Sequence, residues 1–419
     1  MTATLPPESA LAAEPPIDTT VVSRPARRER LLSLDVFRGL TIAGMLLVNN
    51  PGTWSAIYPP LEHAEWNGWT PTDLIFPFFL FIVGITTHLS LTARRARGAD
   101  DRAIVTQIVK RGALIVLVGL LLTGLPYHEF VIPLPFGARF DSVTPHLGLA
   151  HWRITGVLQR IGVAYLCAAL LTVRTSVRQQ VVIIAALLFG YWFAMTLIPV
   201  PGQGEIGALL LTQKDATLGA WVDRTVFGTN HLWIGSRTWD PEGLLSTIPA
   251  IGTCMLGVLA GRWIAAPRPL LARITALFGA GAIAMMAGLM WNWSFPINKN
   301  LWTSSYVLFT AGMASVTLAT CMWLIDVEHV QGWTKPFVIF GLNPLAAYAL
   351  EGLFSRLIYT LIRVPDGGHL IPAETALYEH AFASWLPPRE ASLAFAVCYV
   401  LLFLWLMSIL YRRNIVLKV

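Results

Sequence analysis

Residues 33–84 read SLDVFRGLTIAGMLLVNNPGTWSAIYPPLEHAEWNGWTPTDLIFPFFLFIVG. Their pattern is an apolar helix, a short polar loop and a second apolar helix. The first helix gives out at Asn49-Asn50, where Pro51-Gly52 breaks it. His63 follows in the loop Glu62-His63-Ala64-Glu65-Trp66-Asn67-Gly68. Asp73 stands two residues after Pro71 at the start of the second helix, where a carboxylate meets the positive end of the helix dipole. A polar loop between two bilayer-length apolar runs defines the fold class, because only helices can cross lipid as an open chain.

The same signal recurs along all 419 residues, of which 55% are hydrophobic and 13% charged. That is too little charge to cover a soluble domain. Runs of apolar residues are placed at 34–50, 72–93, 111–126, 154–173, 180–199, 244–265, 270–291, 302–325, 336–361 and 391–411. The expectation is an all-α polytopic membrane protein, a bundle of about ten transmembrane helices lying in the lipid bilayer. Residues 1–30 read as a disordered basic cytoplasmic tail and 31–419 as a single transmembrane domain.

Basic residues give the orientation. With the amino terminus inside, 19 Lys and Arg fall on the inner side, 8 on the outer side and 3 (Arg38, Arg160 and Arg356) within spans, which accounts for all 30. Both termini are therefore expected in the cytoplasm and His63 on the outer face, in a bacterial inner membrane. The formal charge of +6 follows from this asymmetry and does not point to nucleic acid. Cys167, Cys254, Cys321 and Cys398 each lie inside an apolar run without metal-ligand spacing, so neither a metal site nor a disulfide framework is expected. The halves share no matched broken helices of the transporter type. The long segment 200–241 carries Leu209-Leu210-Leu211, Leu218 and Trp221 at roughly helical spacing, as an interfacial cover or a lid would. Asp240-Pro241 reads as the N-cap and first position of the sixth span.

Ionisable groups at membrane depth are costly and therefore candidates for function. Arg160 lies too deep to reach bulk water and needs an anion or carbonyl partner. Arg153 can snorkel to the surface. Asp35 and Arg38, at i and i+3, either pair structurally or help to hold a cofactor. Gly341-Leu342-Asn343-Pro344 breaks the ninth span and places an amide at depth. Lys299 reads as an interface anchor, and Glu351 and Arg356 as an off-register pair.

The run Ser33 to Gly39, Val48-Asn49, His63, Trp66-Asn67-Gly68 and Asp73-Leu74-Ile75-Phe76-Pro77 resembles the membrane-bound heparan-α-glucosaminide N-acetyltransferase family. Arg153 to Arg160 and Asn298 to Ser305 are similar to it as well. The resemblance implies catalytic roles for His63 and Asn49, and a donor path lined by Arg38, Gln159, Arg160 and Asn343. It also implies acceptor contacts from Trp66, Asn67 and Asp73, acetyl-CoA as co-substrate, an amino-sugar acceptor and a homodimer. His63 would be the base that deprotonates the acceptor amine, or a nucleophile that carries the acetyl group. Asn49 would donate to the thioester oxygen. The competing readings are a permease for a small anion or sugar, and a polysaccharide O-acetyltransferase that shares the opening motif.

Overall fold

A computed structural model describes residues 31–124, 152–366 and 369–417. The amino-terminal tail and the segment 125–151 lie outside the described residues. Helices α1 (Leu32–Asn49), α2 (Ile75–Arg95), α3 (Asp101–Gly124), α4 (Val157–Arg174) and α5 (Val177–Leu197) come first. After two short helices, α6 (Gly207–Leu210) and α7 (Leu218–Phe227), come α8 (Thr247–Ile264), α9 (Leu270–Trp291) and α10 (Ser304–Met322). The chain closes with α11 (Lys335–Leu342), α12 (Pro344–Arg356), α13 (Ala373–Tyr378) and α14 (Pro388–Arg412).

Among the described residues, nine helices are long and apolar enough to cross a membrane, or ten if α11 and the helix after Asn343, bent by 83° from each other, count as one span. The chain is an all-α polytopic membrane protein. The bend falls where the break was expected, because Pro344 cannot continue the hydrogen-bond ladder of α11. An antiparallel ribbon of two four-residue strands, β1 (Arg363–Asp366) with β2 (His369–Pro372), is a small addition to the helical plan.

Lipid tails are as apolar as the side chains they surround, so helix association in a bilayer depends on close approach rather than on the hydrophobic effect. At the crossing of α2 and α8, a Cβ on Gly84 would stand 1.9 Å from the Cys254 carbonyl oxygen, and one on Gly257 would stand 2.1 Å from that of Phe81. Around this crossing Leu80, Cys254, Met255, Trp302 and Tyr306 form the buried core. By contrast, α9 presents exposed Ile283, Met286 and Met290, as a lipid-facing helix should.

The segment between α5 and α8 is a packed cover. Leu210, Leu211 and Leu218 are buried with Trp66, Tyr191 and Phe295. The sixth span does not start at Asp240: α8 begins at Thr247, and Asp240 is a buried ion-pair residue in the turn before it.

Candidate active site

The end of α1, the loop behind it and the start of α2 meet at one end of the bundle. Proline drives the local path. Pro59 opens a short 3-10 turn, and Pro71 opens a second, over Pro71–Leu74, that runs directly into α2. Asp73 is the third residue of that turn, and its Oδ2 accepts from the Thr70 amide at 3.0 Å and the Thr70 hydroxyl at 3.2 Å. The Ala64 amide adds a third bond at 3.0 Å. These donors come from both sides of the loop, so one carboxylate oxygen holds the loop onto the helix start.

The other oxygen faces His63. Nδ1 of His63 lies 2.7 Å from Asp73 Oδ1. An ionised carboxylate only accepts, so Nδ1 carries the proton and Nε2 is left as the basic position. The Asp73 side chain is 1% exposed and that of His63 is 43% exposed. The ring is therefore anchored from the buried side and open on the other. Lys299 completes the cluster, with its Nζ 3.0 Å from Nδ1, 3.1 Å from Nε2 and 3.6 Å from Asp73 Oδ1. Burial pulls the Lys299 ammonium below its ordinary value, while Asp73 and Glu242 push it back up.

At Trp66, on the His63 loop, is a narrow recess whose lining includes Lys214, Asp223, Trp239, Asp240 and Asn300. Trp66 stands edge-on to Trp239 at 5.3 Å and donates its indole N–H to the Leu211 carbonyl at 2.8 Å. Asp240 holds the far wall. Arg153 grips it through Nε at 2.9 Å and Nη2 at 2.6 Å, and Thr155 and the Trp233 amide add donors. Burial works against the Asp240 carboxylate, but Arg153 and Thr155 hold it below its usual range. Arg153 thus makes a buried ion pair rather than snorkelling. Asp223, with one backbone amide at 2.8 Å, is pushed up to about 7 by burial and by the neighbouring Asp240 charge.

The remaining candidates divide between the two ends. Gln159 and Arg160 open α4 at the His63 end. Gln159 donates to Thr123 at 3.3 Å, and Arg160 bonds Gly243 and Ser246 through Nη2 and lies 5.1 Å over the Trp302 ring. Arg160 Nε and Nη1 are buried without a hydrogen-bond partner among the described residues. At the opposite end Arg38 pairs with Asp35 at 2.7 Å. Asn343 is there too, donating to the Ile415 carbonyl and accepting from the Leu417 amide, so its contacts are those of a clasp on the carboxyl-terminal segment rather than of a shaft lining.

Asn49 is exposed at the last position of α1. Its neighbour Asn50 is buried and donates to Glu351 at 3.1 Å. Asn67 accepts from Asn298 at 3.1 Å. Lys299 was the residue that sequence reasoning set aside as an anchor. Its adjacency to Asn298, within a motif that resembles the family, was the available signal.

Residues 30–297 match the catalytic-region model of heparan-alpha-glucosaminide N-acetyltransferase. The human heparan-alpha-glucosaminide N-acetyltransferase is 30% identical over 379 residues, covering 78% of this chain and 53% of the relative. The mouse enzyme is 31% identical over 378 residues, covering 78% and 54%. The chain therefore spans about half the length of these curated relatives. The family match runs through the His63 loop and the Asp73 turn and from α1 to the end of α9, and on it the chain belongs to the heparan-alpha-glucosaminide N-acetyltransferase family.

Proposed function

We propose that the protein transfers acetyl from acetyl-CoA to the amino group of a glucosamine-type sugar. The observation that carries this reading is the His63–Asp73 pair, an open imidazole held by a buried, multiply bonded carboxylate. Such a pair orients one nitrogen as a base. His63 Nε2 takes a proton from the acceptor ammonium or briefly carries the acetyl group. Asn49, at the exposed end of α1, donates to the thioester oxygen as charge develops there.

Trp66, Asn67 and Asp73, on the same loop and turn as His63, are the proposed acceptor contacts. Heparan is not implied for this chain; free amino sugars or cell-wall fragments are the acceptors proposed. The donor approaches from the cytoplasm, where the basic inner loops attract its phosphates. Its pantetheine arm is shorter than the roughly 30 Å core of the bilayer, so the thioester must enter a polar path. Gln159 and the partnerless nitrogens of Arg160 are the proposed contacts near the reacting end, and Arg38 at the entry. On this proposal His63 faces the outside of a bacterial inner membrane, with both termini inside.

The test is acetyl transfer to glucosamine by the purified protein. His63→Ala should cut turnover about 10²–10⁴-fold and Asn49→Ala about 10²–10³-fold, with acetyl-CoA binding retained. Near-normal turnover in His63→Ala would remove the site assignment. Solute uptake into liposomes with no acetylated product would favour a permease instead.

A further inference from the structure

The primary amine nearest to His63 belongs to the protein itself. Lys299 Nζ stands 3.0 Å from Nδ1 and 3.1 Å from Nε2 of the His63 ring, and 3.6 Å from the Asp73 carboxylate. These are the two contacts that an acceptor ammonium needs at this site: a base to take its proton and an anion to hold its charge. The Lys299 side chain is only 19% exposed, so it reaches the ring from within the fold and does not sweep through solvent. Its backbone is fixed nearby, because Asn298 Oδ1 accepts from the Leu301 amide and the Asn298 amide group donates to Asn67 on the His63 loop.

We propose that Lys299 is an internal acceptor, a modification site that takes the acetyl group when no amino sugar occupies the site. The inference rests on the acetyltransferase reading above. The Lys299 ammonium gives one proton to His63 Nε2. Its nitrogen lone pair then forms the C–N bond to the thioester carbonyl carbon, the C–S bond breaks, and coenzyme A leaves as the thiolate. The thiolate takes the surplus proton from the new amide nitrogen. Lys299-NH₃⁺ and acetyl-CoA thus give N-acetyl-Lys299, free thiol and the proton left on His63, with no other reactant. Burial favours the neutral amine that this attack requires. Acetylation would remove the positive charge beside His63 and Asp73 and block the place that the acceptor amine must take. A bound amino sugar, in turn, would displace Lys299 and protect it.

The experiment uses the purified protein in detergent, incubated with acetyl-CoA alone or with excess glucosamine, then digested and analysed by mass spectrometry. One acetyl group on Lys299 is expected, stable to hydroxylamine where an acetyl-imidazole is not, and suppressed by glucosamine. It should form about 10²-fold faster than in His63→Ala, the usual worth of a positioned base. Lys110, Lys214 and Lys335 serve as references for uncatalysed acetylation. Equal labelling of all four lysines, or equal labelling of Lys299 in His63→Ala, overturns the proposal. So does an unmodified Lys299 in a preparation that acetylates glucosamine. If neither Lys299 nor glucosamine is acetylated, the acetyltransferase reading fails and this inference falls with it.

Discussion

His63 and Asp73 are ten residues apart in the chain and 2.7 Å apart in space, and that pairing was latent in the sequence because a single loop joins them. The Lys299 contact was not legible, since it spans 236 positions and depends on how α2 and α10 pack. The same holds for Asn50 with Glu351 and for Arg153 with Asp240. Asp73→Asn keeps an acceptor for some loop amides but removes the charge that fixes the imidazole tautomer. Acetyl transfer to glucosamine should fall by about 10²-fold or more, with a smaller loss of thermal stability. An unchanged turnover would show that the pair only ties down the loop. Asp223 gives a pH prediction. Its folded value, about 7, lies above the ordinary carboxylate value of 3.8, so the folded state binds the extra proton between these limits. Stability should therefore fall as pH rises from about 4 to about 7 and level off above, and Asp223→Asn should flatten that slope in a melting series.

At the level of elements, the apolar runs located most spans well, since hydrocarbon length and helix rise dictate them. The sixth span was begun too early because Asp240-Pro241 imitates a capped helix start, while the ion pair with Arg153 holds that turn outside α8. Helix contacts escaped sequence reading, because a glycine shows its partner only once the crossing is known. Gly84→Val should break the approach of α2 to Cys254 on α8. Where backbone atoms oppose the new side chain, the cost should reach or exceed the 1–3 kcal/mol typical of overpacking. Gly279→Val on α9, with open space around it, should leave the melting temperature nearly unchanged. Asn343→Ala should release the clasp on residues 415–417, read as faster amide exchange at Leu417. A selective rise in KM for acetyl-CoA would instead return Asn343 to the donor path.

For the molecule as a whole, the 19-to-8 distribution of basic residues was legible without any structure, and the proposed direction of the chemistry rests on it. In intact cells, an impermeant thiol reagent should label a His63→Cys variant from outside; labelling only after membrane disruption would reverse the topology. The vectorial claim has a more direct test. Purified protein is sealed into liposomes with acetyl-CoA inside only and glucosamine outside only. N-acetylglucosamine should accumulate outside with the wild-type protein and not with His63→Ala. Product that forms only when donor and acceptor share one compartment, or that forms equally well without His63, would contradict the account.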